Sequence, residues 1–239
     1  MFFCTIIPTY NNARTVADIV RRTLAVCPDV IVVNDGSTDN TLEELEGLEC
    51  EVISYSHNRG KGYALRRGLD AAREAAFDYA ITIDADGQHS PEEIPMLLER
   101  IKSDMDVLVV GSRNMKADGM PVVNTFANRF SNFWFMLQTG IRLPDTQSGF
   151  RVYPLYFLPC LSLITNRYES ELELLVFSAW SGVRIIPVPV SVNYPDDRVS
   201  HFRPFRDFLR ISLLNTVLCL LAIVYGYPRM LFEKLKGKN

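Results

Sequence analysis

The sequence predicts an α/β protein built on a doubly wound, mostly parallel sheet with helices on both faces. Three observations lead there: short apolar runs recur along the first 110 positions, helix-compatible stretches separate them, and polar turns close them. Apolar runs without polar alternation suit strands covered on both sides. Strands alternating with helices of about 10 to 15 residues give βαβ units and hence a parallel sheet.

Phe2 to Ile7 is the first strand, stopped by Pro8, which cannot donate to a ladder. Ala13 to Val26 reads as a helix. Val30 to Val33 is the second strand, closed by Asn34-Asp35-Gly36-Ser37, with Ser37 or Thr38 placed to cap a following helix. Val52 to Tyr55 gives a third strand, Gly62 to Ala76 a helix, Tyr79 to Ile83 a fourth strand, and Pro91 to Lys102 a helix with proline in its first turn. Val107 to Val110 is the fifth strand. Beyond Gly111 the rhythm changes: Val122 to Leu137 predicts an aromatic-rich helix, Glu169 to Trp180 another, and Arg184 to Val192 a strand, with no internal repeat.

Ile211 to Tyr227 is apolar for about 17 positions, short of the roughly 20 that span a bilayer. Arg198, Arg203, Arg206 and Arg210 precede it, and Arg229, Lys234, Lys236 and Lys238 follow. Cations flanking a short apolar helix suit a segment lying in the interface beside anionic headgroups; a buried C-terminal helix is the competing reading.

Composition narrows the function classes. With 239 residues, 48% hydrophobic and a net charge of −3, the chain is neither disordered nor a bulk-basic nucleic-acid binder. The charge is unevenly spread: residues 198–239 hold eight Lys or Arg against Asp207 and Glu233, a local +6 that leaves −9 on the rest. Cys4, Cys27, Cys50, Cys160 and Cys219 are odd in number, scattered and without metal or redox spacing, which predicts free thiols and an intracellular setting. Met1 to Ile7 runs straight into Pro8, too short an apolar stretch for a secretory leader.

In open α/β sheets ligands bind past the carboxyl ends of the strands. Four such ends are polar: Pro8-Thr9-Tyr10-Asn11-Asn12, Asn34-Asp35-Gly36-Ser37, Asp84-Ala85-Asp86-Gly87-Gln88 and Gly111-Ser112-Arg113. Asp84 and Asp86 leave one strand with a single residue between them, and two carboxylates so close repel unless a cation joins them. A hard ion such as Mg²⁺ or Mn²⁺ takes oxygen ligands and bridges to a diphosphate, a task suited to Asp86 and the amide oxygen of Gln88. Gly60-Lys61-Gly62 with Gly68 is not a dinucleotide fingerprint, because Leu65 stands where the third glycine belongs. It instead brings backbone amides and a cation to a helix start, where an anion can sit.

Taken together, Pro8-Thr9-Tyr10-Asn11, Asn34-Asp35-Gly36-Ser37-Thr38-Asp39, Asp84-Ala85-Asp86-Gly87-Gln88-His89 and Ser148-Gly149-Phe150-Arg151 occur in the order seen in family 2 glycosyltransferases. The chain resembles that family over residues 3 to about 210, and within it looks most like the polyprenyl-phosphate mannose or glucose synthase branch. The resemblance implies a GT-A fold, with residues 1–110 as the nucleotide-binding half, 111–210 as the acceptor half, and 211–239 as a membrane-proximal helix and tail. It also implies inverting transfer of a hexose from a UDP- or GDP-sugar, on the cytoplasmic face of a membrane.

By matching position, Pro8, Tyr10, Asn12, Asp35 and Ser37 are expected around the nucleotide, Asp84 at the ribose or diphosphate, and Asp86 with Gln88 at the metal, Asp86 being catalytic through it. Asn12 stands where relatives of the mannose synthase type often have Glu, and Asn34 where the family often has Asp. Lys61, Arg113 and Arg151 are candidates for charge-assisted hydrogen bonds to phosphate. Asp145 to Arg151 resembles the family's acceptor-side loop. A polyprenyl phosphate acceptor is already ionised and needs cations, for which Arg113, Ser148, Arg151, Ser200 and Arg203 are expected; His201 follows Ser200 where that branch often has Ser-Lys. A sugar hydroxyl of a glycan acceptor needs a carboxylate base, which Asp145, Glu169 or Glu171 would supply. The alternatives are thus a soluble polysaccharide-elongating transferase using Asp145 as base, or a nucleotide-binding module without catalysis.

Overall fold

A computed structural model describes residues 1–101, 106–113, 122–158, 165–167, 169–193 and 204–236, with side chains described for all of these except 122–126, 204–208 and 236. The chain runs β1 (Phe3–Thr9), α1 (Val16–Leu24), β2 (Val30–Asn34), β3 (Glu51–Ser54), α2 (Lys61–Glu74), β4 (Tyr79–Thr82), α3 (Ile94–Glu99) and β5 (Val107–Arg113). It continues through α4 (Val122–Thr139), β6 (Arg151–Pro154), α5 (Glu169–Trp180), β7 (Arg184–Val190), α6 (Pro204–Leu221) and α7 (Tyr227–Lys236). A π-helical turn, Ala222–Gly226, joins the last two helices.

The strands make one seven-stranded sheet in the order β3-β2-β1-β4-β6-β5-β7. All neighbours pair in parallel except β6, which runs against both β4 and β5. Successive strand residues point to opposite faces, so the sheet feeds two cores. One gathers Ile6, Ile31 and Val33 with Leu65 and Leu69 of α2, Leu172 and Leu175 of α5, and Leu214 and Leu218 of α6. The other gathers Ile7, Val30 and Val32 with Val16, Ile19 and Val20 of α1 and Ile94 and Leu97 of α3. The doubly wound reading therefore holds, with helices on both faces.

Four details depart from the sequence reading. The helix expected after Ser37 is a single 3-10 turn, Glu43–Leu45. The side chains after β2 are engaged with the β1 loop instead: Ser37, an expected cap, accepts through Oγ from the Asn11 N–H at 2.9 Å, Asp39 accepts from Ala13 N–H at 3.1 Å and Thr41 Oγ1 from Asn12 N–H at 3.0 Å. The segment from Pro91 starts as a 3-10 turn and is α-helical only from Ile94 to Glu99; Lys102 lies outside the described residues. β5 extends to Arg113, because Gly111, Ser112 and Arg113 keep pairing with Val188, Pro189 and Val190. The fourth departure is β6, a buried strand that begins at Arg151, the last residue of the expected loop, where the sequence reading assigns no element.

β6 shapes the site. Since it runs backwards, its leading residues Thr146 to Phe150 arrive at the same sheet edge as the carboxyl ends of β1, β2 and β4, with Arg151 opposite Thr82 and Val110. The C-terminal apolar segment is continuous with α6, which passes position 210 unbroken.

Candidate active site

A cavity of about 890 Å³ opens at that edge, the size of a pocket for a substrate molecule. Its lining joins Pro8, Tyr10 and Asn12 beyond β1, Asp35 beyond β2, Asp84, Asp86, Gln88 and His89 beyond β4, Arg113 at the end of β5, and Ser148 before β6. Lys61 from the start of α2, Arg167 before α5, Glu169 and Glu171 from the first turn of α5, and Ile211 of α6 line it too. Of the expected residues, Ser37 is not among the lining; its hydroxyl sits behind Asn11. Ser200, His201 and Arg203 lie outside the described residues.

Asp35 is 3% exposed, and its two carboxylate oxygens accept the backbone N–H groups of Arg59 and Gly60 at 2.7 and 2.8 Å. It thereby fixes the Asn58-Arg59-Gly60 loop that leads into α2, a long-range link that the strand-end motif does not reveal. Arg59 in turn stacks its guanidinium 4.8 Å from the Tyr63 ring centre.

Lys61 lies between two carboxylates. Its ammonium is 2.7 Å from Asp84 and 3.1 Å from Glu171. Burial works against the Lys61 charge, but the two carboxylates outweigh it and hold its pKa above the usual lysine value. Burial likewise opposes ionisation of Asp84, and Lys61 overrides it, so Asp84 is held below the ordinary carboxylate value. Two glycines make this approach feasible: a Cβ on Gly149 would meet the Asp84 carboxylate at 2.6 Å, and one on Gly62 would meet Ser170 Oγ at 2.0 Å. α2 and α5 therefore touch at their N-termini, which brings Lys61 and Glu171 together.

Asp86 accepts from the Gln88 backbone N–H at 3.0 Å and from its amide Nε2 at 2.7 Å, which sets the carboxylate and the amide side by side. Among the described residues no three His, Cys, Asp or Glu side chains converge as a cation site. A carboxylate and an amide oxygen are donor types that Mg²⁺ or Mn²⁺ take, with positions left for phosphate oxygens and water; here the amide turns its NH2 to Asp86, so a shared cation requires the amide to rotate and present its oxygen. His89 is 4% exposed; burial lowers its pKa to about 4, so the imidazole is neutral at pH 7, and its Nδ1 has no hydrogen-bond partner among the described residues.

Two expected residues are used differently from the sequence reading. Asp145, expected as a base, is fully buried; it accepts from Arg113 Nε at 2.5 Å and Nη2 at 2.9 Å, from Asn128 Nδ2 at 2.7 Å and from Gln147 N–H at 3.0 Å. Burial opposes its charge, but the hydrogen bonds from Arg113 prevail and its pKa is lowered. A carboxylate so occupied and so acidic is an anchor for Arg113, poorly suited to take a proton. Arg151, expected at a phosphate, is also fully buried. Its guanidinium donates to the carbonyls of Thr146, Ser148 and Glu171 and to the Tyr153 hydroxyl, so it braces the acceptor-side loop from beneath. His89 closes the motif that begins at Asp84, but no role there marks it as a cavity residue; Arg167 and Ile211 lie outside every motif, and their places on the lining depend on the assembled sheet.

The model of "Glycosyl transferase family 2" matches residues 4–157. The UDP-N-acetylglucosamine–dolichyl-phosphate N-acetylglucosaminyltransferase of Methanococcus voltae is 33% identical over 237 residues, covering 88% of this chain and 94% of that protein. The undecaprenyl-phosphate mannosyltransferase of Micrococcus luteus is 29% identical over 200 residues, covering 78% of this chain and 82% of its own length. In structure, glucosyl-3-phosphoglycerate synthase from Mycobacterium tuberculosis, crystallised with Mn²⁺, UDP and phosphoglyceric acid, aligns with a TM-score of 0.70 at 20% identity, over 92% of this chain and 78% of that one. That likeness gives the fold, of GT-A type, and the family match together with the Methanococcus relative gives the chemistry class: the chain is a glycosyltransferase that belongs to glycosyl transferase family 2.

Proposed function

We propose that the chain moves a hexose from a nucleoside diphosphate sugar to a polyprenyl phosphate, with inversion and with Mg²⁺ or Mn²⁺, while bound peripherally to a membrane surface on its cytoplasmic side. The observation that carries this reading is the convergence of Asp35, Asp84, Asp86, Gln88 and Lys61 on one cavity at the carboxyl edge of the sheet. The names of the Methanococcus and Micrococcus relatives support a lipid phosphate acceptor.

In this reading Pro8, Tyr10, Asn12 and Asp35 hold the nucleoside, while the N-terminus of α2 and Lys61 meet the diphosphate, where helix-end N–H groups favour an anion. Asp84 orients Lys61 and the ribose or diphosphate. Asp86 and Gln88 hold the cation, which when bound neutralises the charge that builds on the departing diphosphate and so stabilises the transition state more than the ground state. Arg113, fixed by Asp145, is a cavity cation assigned to the acceptor phosphate, with Ser148 also on the lining. A phosphate oxygen is already a nucleophile at neutral pH and needs no base, which agrees with the occupied state of Asp145. That occupation weighs against Asp145 as the base of the polysaccharide-elongating alternative, and the family membership weighs against a non-catalytic module.

The membrane contact is assigned to α6 and α7. Leu209, Leu213, Leu220, Val224, Leu231 and Leu235 are each more than half exposed, and their spacing of four and seven residues sets them on one helix face. The segment Leu209–Leu235 is long and apolar enough to cross a membrane, with 28% of its most apolar window buried. Its opposite face, Leu214, Leu218 and Ala222, is locked into the core, so it is read as lying on the surface.

The test is to incubate the full chain with polyprenyl phosphate, Mn²⁺ and labelled UDP- or GDP-hexoses. Sugar should enter the lipid fraction from at least one donor, and Asp86→Ala should abolish transfer and Mn²⁺-dependent nucleotide binding while leaving the unfolding midpoint unchanged. Full activity of that variant would remove the metal role, and no transfer from any donor would remove the acceptor assignment.

A further inference from the structure

α5 presents three carboxylates at alternate positions, and the structure gives them different partners. Glu173 accepts from the Thr165 backbone N–H at 3.0 Å and from its hydroxyl. Glu171 is held 3.1 Å from the Lys61 ammonium. Glu169 is 7% exposed, lines the cavity, and its Oε2 has no hydrogen-bond partner among the described residues. A buried carboxylate oxygen without a donor is costly unless something brings one. The start of the helix compensates part of the charge, because the first turn favours acidic side chains, but it supplies no hydrogen bond to this atom.

The place of Glu169 says which donor it awaits. Lys61 and the N-terminus of α2, read above as meeting the diphosphate, pack against the start of α5 through Gly62 and Ser170. Glu169 therefore stands one helix start away from the diphosphate, where the group carried by the diphosphate must sit. It is not a base for a phosphate acceptor, which has no proton to lose. The ligand that satisfies a desolvated carboxylate there is a neutral polyol offering O–H or N–H donors.

The geometry points to Glu169 as the residue that recognises the donor sugar, accepting hydrogen bonds from the hydroxyl groups of a neutral hexose and excluding sugars that carry a carboxylate. The assignment rests on the donor-site reading above. Exclusion follows from charge: with Asp84 and Glu171 sharing one Lys61, a hexuronate would place another anion beside Glu169, whose Oε2 has no hydrogen-bond partner among the described residues. A site built to bond a hydroxyl discriminates strongly against a ligand that cannot supply it.

The test measures binding of four probes by calorimetry with Mn²⁺, in the full chain and in Glu169→Gln and Glu169→Ala: UDP, GDP, UDP-sugars with neutral hexoses, and UDP-glucuronic acid, with GDP-mannose and GDP-mannuronic acid replacing the UDP-sugar pair if GDP is the nucleotide bound. Both variants should bind the free nucleotide within about twofold of the unaltered chain and lose neutral-sugar affinity, and the ratio of neutral-sugar to uronate affinity should fall by about tenfold or more in Glu169→Gln. An unchanged ratio with unchanged neutral-sugar affinity overturns the assignment while leaving the donor site in place. Equal loss for free nucleotide and nucleotide sugar overturns it too, because that marks a structural role. Absence of nucleotide binding in the unaltered chain overturns the donor-site reading and this assignment together.

Discussion

Arg113 and Asp145 meet with 13% and 0% of their side chains exposed, whereas Arg22 and Glu92 meet with 34% and 54% exposed. The hydrogen bond from Arg22 lowers the Glu92 pKa to about 2, yet water screens such a pair to about 1 kcal/mol or less. Removing one partner of an enclosed pair leaves a buried charge unmatched, at about 3–5 kcal/mol. Asp145→Asn is therefore expected to lower the unfolding free energy by that larger amount, and Arg22→Ala by the smaller. The pH dependence follows from the lowered folded pKa of Asp145: its contribution is complete above the ordinary value of 3.8 and is lost as pH falls through the lower folded value. Urea midpoints of Asp145→Asn should fall less steeply under acid than those of the unaltered chain; parallel acid limbs would show that another group is linked. The role of Asp145 was not legible in the sequence, because its partners Arg113 and Asn128 come from β5 and α4. Pro8, Asp35, Asp84 and Gln88 are legible as cavity residues, since Pro8 and Asp84 directly follow apolar runs, Asp35 and Gln88 lie in the polar turns that close such runs, and strand ends define the binding edge.

α5 matches its expected limits of Glu169 and Trp180 although it is buried almost all round and carries little amphipathic period; its apolar run between the Glu-rich start and Trp180 marks it. β6 was missed because four residues, beginning with Arg and ending with Pro, carry neither alternation nor an apolar run. Its strand character comes from being buried between β4 and β5, a tertiary effect that overrides propensity. α6 and α7 carry a buried apolar face and an exposed apolar face. Leu218 is fully buried whereas Leu213 and Leu220 are more than 60% exposed. Leu218→Ala should cost about 2–5 kcal/mol of stability, as core truncations do. Leu213→Glu with Leu220→Glu should leave the unfolding midpoint nearly unchanged and abolish sedimentation with vesicles of phosphatidylcholine and phosphatidylglycerol. Retained vesicle binding in that double variant would assign membrane contact to another surface. The same core role of α6 means that deleting the segment from Ile211 onward would test stability as much as membrane attachment.

At the scale of the whole molecule the charges are separated, with +6 on residues 198–239 and −9 on the remainder. Exposed charges interact over about 8–10 Å at physiological salt, so the basic end is expected to approach an anionic bilayer while the acidic body is held off. Binding to phosphatidylglycerol-containing vesicles should weaken as salt rises from about 0.05 to 0.5 M, over which screening shortens; salt-independent binding would leave the apolar face as the sole attachment. The net charge alone hid this polarity, and the sequence could not show that the basic helix also reaches the cavity. Ile211 lines the cavity, whereas Leu213, two residues on, faces outward. At 1.5 Å of rise per residue those positions are about 3 Å apart along the axis. On the proposed reading, the acceptor headgroup therefore arrives by lateral drift within the leaflet. Turnover at low acceptor would then follow the number of lipid phosphates per unit of surface, and diluting them with inert lipid would slow the enzyme even when their bulk concentration is held constant.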